Sequence, residues 1–163
     1  MKPALVVKAG RDLPLSGDSL TDLMKAVLAK GKPFRFRARG FSMSPFIKDG
    51  DVVTIRPPDG ASPRTGDVAA FIHPESGKAA VHRVVREKSG RFSLKGDNTF
   101  EADGDLAAGD ILGIVSKVER NGRTVRLGSG PGGSLIAFLS RSGWLAGILR
   151  AARRALRPGT GRS

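Results

Sequence analysis

The sequence predicts a mainly β domain with a short helix near its N-terminus and an amphipathic helix near its C-terminus. From Gly50 to Val118, short apolar runs alternate with Gly, Pro, Asn and Asp turns, which is the punctuation of strands. The runs lie too close together for the crossovers of about a dozen residues that parallel strands need, so they pair antiparallel. Helical periodicity lies on either side of this region, at Leu20 to Leu28 and beyond Gly143.

Taken in order, Ala4 to Val7 predicts a short strand, followed by a turn up to about residue 16. Leu20, Leu23, Met24, Val27 and Leu28 recur at helical spacing, with Asp18 or Ser19 as N-cap and Gly31 with Pro33 as the stop. Phe34 to Arg39 alternates apolar and basic residues, the pattern of a half-exposed strand. Val52 to Ile55, Asp67 to Ile72, Ala79 to Arg86, Phe92 to Leu94 and Ile111 to Val118 supply the following strands. Asn121-Gly122 predicts a hairpin turn into Thr124 to Leu127. Gly128 to Gly133 is a Gly-rich hinge. After it, Trp144, Leu145, Ile148, Leu149, Ala152 and Leu156 share one side of a helical wheel, opposite Arg150, Arg153, Arg154 and Arg157. The expected organisation is an N-terminal strand and helix extension (1–33), a β-domain (34–127), and a hinge with a basic amphipathic helix (128–163).

Composition narrows the chemistry. The 163 residues contain no cysteine, which excludes disulfides, thiolate metal sites and cysteine nucleophiles. Two histidines in total argue against a histidine-rich metal site. Twenty-eight Lys and Arg against fifteen Asp and Glu leave a net charge of +13, which favours anionic partners or reflects only an Arg-rich surface. No secretory signal or run of transmembrane length is evident, so the expected location is the cytoplasm.

Ser42 is the candidate nucleophile. It lies in Arg39-Gly40-Phe41-Ser42-Met43-Ser44-Pro45-Phe46, where Gly40 allows a sharp turn, Met43 can anchor it in a core and Pro45 fixes its exit. A serine hydroxyl needs a base. His82, in the strand pattern Ala79 to Val85, is the candidate, although a lone strand histidine is more often a packing or surface residue.

Five boxes then occur in order. They are Ser42-Met43-x-Pro45 with Gly50-Asp51-Val52-Val53, Gly66-Asp67-Val68-Ala69-Ala70-Phe71, His82-Arg83-Val84-Val85, Lys95-Gly96-Asp97-Asn98, and Ile111-x-Gly113-x-Val115. Together they resemble the type I signal peptidase family, in particular its archaeal and endoplasmic-reticulum branch, where histidine replaces the bacterial lysine base. The same catalytic β-fold occurs in the LexA-type self-cleaving repressors, which use serine and lysine.

The resemblance implies a serine endopeptidase that cuts a leader- or signal-like peptide held as an added strand, with small residues near the cleavage site and no cofactor. It makes Ser42 the nucleophile, His82 the base and Asp103 the acid that orients His82. Asp97 is the alternative acid; its other reading is a buried turn carboxylate satisfied by backbone N–H groups. Lys78, Lys88 and Lys95 do not stand at the base position and are expected to be solvated, with bracing of the Asp97 turn as a further role for Lys95, and His73 is expected to be structural or exposed. The oxyanion donor would be the Ser42 N–H with neighbouring amides and Ser44 as a helper, because Gly40 stands where a small hydroxyl residue is usual. Phe41 replaces the usual glycine.

A LexA-like self-cleaving protein and an inactive peptide-binding module are the alternatives on this scaffold. Against the first, no helix-turn-helix is visible, which also disfavours nucleic acid as a partner, and no Ala-Gly or Cys-Gly cleavage site is evident ahead of Ser42, where Ala9-Gly10 is the one Ala-Gly pair and lies very near residue 1. The C-terminal helix either packs on the β-body or contacts an anionic membrane through Trp144, Arg150, Arg153, Arg154 and Arg157.

Overall fold

The structure, a computed structural model, describes residues 4–8, 11–60, 62–127 and 135–139, with side chains from residue 16 onward. Its frame is a ten-stranded sheet in which every described pairing is antiparallel. The strands are β1 (Ala4–Lys8), β2 (Arg11–Leu15), β3 (Phe34–Arg37), β4 (Val52–Arg56), β5 (Val68–Ile72), β6 (Ala79–Lys88), β7 (Arg91–Lys95), β8 (Ala102–Ala107), β9 (Ile111–Arg120) and β10 (Arg123–Thr124). Their spatial order is β2-β1-β3-β4-β9-β5-β6-β7-β8, with β10 hairpinned onto β9. The mainly β class with a short N-terminal helix is as the sequence predicts.

The single long helix among the described residues is α1 (Gly17–Ala29). Its N-cap is Ser16 rather than Asp18 or Ser19: the Ser16 hydroxyl accepts from the Ser19 N–H at 3.2 Å. This position suits the extended backbone of a cap residue, and it leaves Asp18 in the first turn, where its negative charge meets the positive end of the helix dipole. Leu20, Met24 and Leu28 are buried in a core with Phe34, Phe36, Val53, Ile55 and Val118. Each such side chain contributes about 1.5–3 kcal/mol when fully buried.

Two strands differ from expectation. β2 lies within the segment read as turn and forms a hairpin with β1, whose other edge pairs with β3. β8 has no apolar alternation to reveal it: in Ala102-Asp103-Gly104-Asp105-Leu106-Ala107 only Leu106 is buried. Pairing with β7 makes it a strand. Of the segment expected as a strand over Thr124 to Leu127, Thr124 lies in β10 and the Val125 N–H donates to the Val118 carbonyl at 2.8 Å.

β5 is the hinge of the packing. Val68 and Ala70 face the first core, while Ala69 and Phe71 face a second with Val84, Phe92, Leu94, Leu106 and Ile111. Both of its faces are covered, so it reads as a continuous apolar run. Residues 135–139 form a short helix. The expected amphipathic helix, with Trp144, Arg150, Arg153, Arg154 and Arg157, lies outside the described residues.

Candidate active site

The turn bearing Ser42 is pinned from both sides. Met43 and Ile47 are buried, and the Met43 carbonyl accepts from the N–H groups of Phe46 and Ile47 at 3.0 and 2.9 Å. Gly40 sits at φ +93°, a left-handed conformation that glycine adopts without a steric penalty, and its N–H donates to Asp49 Oδ1 at 3.0 Å. From the other side Asn98 donates its backbone N–H to the Ser42 carbonyl at 2.7 Å and its side-chain amide to the Phe41 carbonyl at 3.2 Å. Gly96 permits that approach: a Cβ there would lie 2.8 Å from the Ser42 carbonyl oxygen.

This placement aims the Ser42 hydroxyl at β6. Ser42 Oγ lies 3.0 Å from His82 Nε2, and His82 Nδ1 lies 2.6 Å from Asp103 Oδ2 on β8. Because the carboxylate only accepts, the proton of the neutral imidazole belongs on Nδ1, and Nε2 is left to accept from the Ser42 hydroxyl. The Phe71 ring packs 5.7 Å from the imidazole, and His82 and Asp103 are nearly buried.

Strand alternation separates the two candidate acids. Adjacent residues of β6 project to opposite faces, so His82 and Arg83 cannot share a carboxylate on one side of the sheet. Asp103 meets His82. Asp97 meets Arg83, which donates Nε–H to Oδ1 at 2.9 Å and a terminal N–H to Oδ2 at 2.8 Å. Asp97 is therefore a buried turn carboxylate, and a guanidinium holds it. Arg83 is wholly buried and also donates to the carbonyls of Gly66 and Leu127, with its guanidinium 5.2 Å from the Phe46 ring centroid. A charged residue inside an apolar strand was the one sequence signal for this pair.

A match to the Peptidase S24-like family covers residues 8–123. The chain belongs to the Peptidase S24-like family. No individual curated protein matches it. The matched stretch of this S24-like chain holds α1, the Ser42 turn, His82 and Asp103, and it ends at the β9–β10 hairpin.

Around the S24-like site, further contacts fix the loop after Ser42. Asp51 accepts from Arg120 Nε–H at 2.9 Å, from an Arg120 terminal N–H at 2.8 Å and from the Lys48 N–H at 2.8 Å. Burial alone would raise the Asp51 carboxyl, but the bonds and charges of Arg120 and Lys48 outweigh it and hold the group below its ordinary value. Arg120 also donates to the carbonyls of Pro45 and Phe46. Arg120 was not singled out from sequence, and Asn98 stood in a box without a role, since each acts through a contact distant in the chain.

The Ser42 N–H donates to no group among the described residues. The Ser44 N–H is committed to the Phe41 carbonyl at 3.1 Å, and Phe41 is exposed. Lys95 departs from expectation: it is buried rather than solvated, and desolvation lowers its pKa. Lys78 and Lys88 are not buried. His73 is partly exposed, and its Nε2 lies 3.5 Å from Asp103 Oδ1. Among the described residues, no group of three or more His, Asp or Glu is placed to hold a metal ion, and no helix is long and apolar enough to cross a membrane.

Beside Ser42 and His82 opens a cleft of about 930 Å³ between α1, β3 and β6. Leu20, Met24, Phe36, Ile47 and Val53 line it. One wall is the β6 segment Ala79–His82, whose other side pairs with β5. The Ala79 N–H donates to the Thr21 hydroxyl at 2.8 Å, so α1 closes that end of the edge. By the alternation of the antiparallel ladder, Val81 turns its N–H and C=O to the same side as Ala79, toward the cleft.

Proposed function

We propose that the protein is a serine endopeptidase that cuts an extended, leader- or signal-like peptide through Ser42, His82 and Asp103. The observation that carries this reading is the continuous contact from Ser42 Oγ through His82 to Asp103, at 3.0 and 2.6 Å. Ser42 Oγ attacks the scissile carbonyl carbon as its proton passes to His82 Nε2. The imidazolium is stabilised by Asp103, then returns the proton to the leaving amine as the C–N bond breaks. A water deprotonated by His82 cleaves the acyl ester by the reverse sequence. The Ser42 N–H faces the forming oxyanion, and Gly40 adds no hydroxyl to it.

Substrate binding follows from the cleft. An extended peptide pairs with the Val81 edge and lays alternate side chains on the apolar walls, so main-chain bonds supply affinity and the walls supply selection. His82, rather than a lysine, stands where the signal-peptidase resemblance puts the base, which supports the histidine-base branch. Membership of the S24-like family supports a second reading on the same residues, cleavage of the chain by itself. Ala9-Gly10, its candidate scissile pair, lies outside the described residues.

A fluorophosphonate probe tests the chemistry without a known substrate. The wild-type protein is expected to be labelled, and Ser42→Ala to remain unlabelled. Asp103→Asn, which leaves the wrong imidazole tautomer facing Ser42, should slow labelling by about three to four orders of magnitude. A wild-type protein that resists the probe would favour the inactive peptide-binding module. Fragments of purified protein that form at a first-order rate, and not in Ser42→Ala, would favour self-cleavage.

A further inference from the structure

The two oxygens of Asp103 face two different imidazoles. Oδ2 accepts from His82 Nδ1–H at 2.6 Å, while Oδ1 lies 3.5 Å from His73 Nε2. His73 follows β5 at the start of the β5–β6 hairpin, and its Nδ1 accepts from the Glu75 N–H at 3.3 Å. The neutral ring therefore carries its proton on Nε2, the nitrogen turned to Asp103. The Phe71 ring packs against both imidazoles, with centroid separations of 6.2 Å to His73 and 5.7 Å to His82. The His73 side chain is 27% exposed against 11% for His82, so His73 is the ring more open to solvent protons.

We propose that His73 is a positioning residue that shares Asp103 with His82 and, when protonated, competes for that carboxylate. The proposal rests on the reading of Ser42, His82 and Asp103 as the catalytic groups. While His73 is neutral, the Asp103 charge is undivided and supports the His82 imidazolium that forms as Ser42 reacts. A proton on His73 occupies Nδ1, displaces the Glu75 N–H contact and sets a positive charge against Oδ1. Two cations on one carboxylate then disfavour each other, so His82 becomes a weaker base for Ser42. The groups facing His73 are Asp103 from β8, His82 from β6 across Phe71, and, on its own hairpin, the Glu75 N–H and the Lys78 carbonyl, which accepts from the His73 N–H at 2.9 Å. Among the described residues, Asp103 is the one acid within ion-pair distance of either imidazole.

The test pairs two readouts. Fluorophosphonate labelling of Ser42 is followed against pH, each profile normalised to its own plateau, in wild type, His73→Gln and His73→Leu. The wild-type acid limb should require two ionisations, and both variants should fit one. Glutamine keeps an N–H near Oδ1 but takes no proton, so a two-ionisation limb in His73→Gln would overturn the proposal. In parallel, NMR titration of histidine-labelled protein should show each imidazole inflected by the other in wild type, and single-step behaviour of His82 in His73→Gln. Coupled rings in a protein that resists the probe would remove the peptidase reading and leave the shared carboxylate standing. Labelling with a one-ionisation wild-type limb, or rings that titrate independently, would overturn the role of His73.

Discussion

Asp97→Asn removes the charge that balances the most buried cation among the described residues. Arg83 and Asp97 have side-chain exposures of 0% each, and two parallel N–H···O bonds of 2.9 and 2.8 Å join them. Asparagine fits the same space but leaves the guanidinium without a counter-charge. Its remaining acceptors are the Gly66 and Leu127 carbonyls and the face of Phe46. Breaking such a pair from one side costs about 3–5 kcal/mol, because the surviving charge stays desolvated. That is a large part of the roughly 5–15 kcal/mol that holds a domain folded. With a urea m-value of about 2 kcal/mol per molar, the midpoint should fall by about 2 M at constant slope. Arg83→Met combined with Asp97→Leu should recover most of the loss, since no charge is then stranded, and a double-mutant cycle isolates the coupling. A loss below about 1 kcal/mol for Asp97→Asn, with the m-value unchanged, would refute the claim that this pair is cut off from water. Asp97 adjoins Asn98, which holds the Ser42 carbonyl, so labelling of Ser42 should weaken along with stability.

Gly96→Ala sets a Cβ 2.8 Å from both the Ser42 carbonyl oxygen and Thr99 Cγ2. Overpacking of this kind costs about 1–3 kcal/mol, and urea unfolding together with slower fluorophosphonate labelling should report it; unchanged labelling would mean that the turn moves without disturbing Ser42. Asp51 titrates below its ordinary value of 3.8 because Arg120 and Lys48 overcome its burial. Its contribution to stability is therefore complete above the unfolded-state value and is lost as pH falls through the lower folded-state value. Asp51→Asn should flatten the decline in stability on the acid side of about pH 4, and denaturation midpoints measured from pH 2 to 6 would check this; a decline as steep as that of wild type would place the acid sensitivity elsewhere.

How much of this was legible in the sequence depends on whether the signal was local. α1 and strands β3 to β7 and β9 announced themselves because each buries apolar residues in a local pattern, periodic in Phe34 and Phe36 on β3 or Phe92 and Leu94 on β7, and continuous on β5. β8 did not, because its residues are polar and its strand geometry comes from pairing with β7. The strand that carries Asp103 was thus the one whose sequence says least. The N-cap of α1 was missed for a related reason: Ser16, Asp18 and Ser19 can all cap, and only the backbone shows which one turns its oxygen inward.

The sequence by itself determined the β class, the N-terminal helix, the turn that exposes Ser42 and the identity of His82 as its candidate base. These follow from residue type, periodicity and the order of the boxes, all of which survive without coordinates. Only the tertiary structure decided which acid meets which cation. Side chains alternate along β6, so consecutive residues look to opposite faces, and Asp97 is drawn to Arg83 while Asp103 reaches His82. The same folding brought Asn98 to the Ser42 carbonyl, Arg120 to the loop behind it, and His73 to the far oxygen of Asp103. Such contacts join residues distant in the chain, and no local pattern records them, because through-space distance is fixed only when the strands pair.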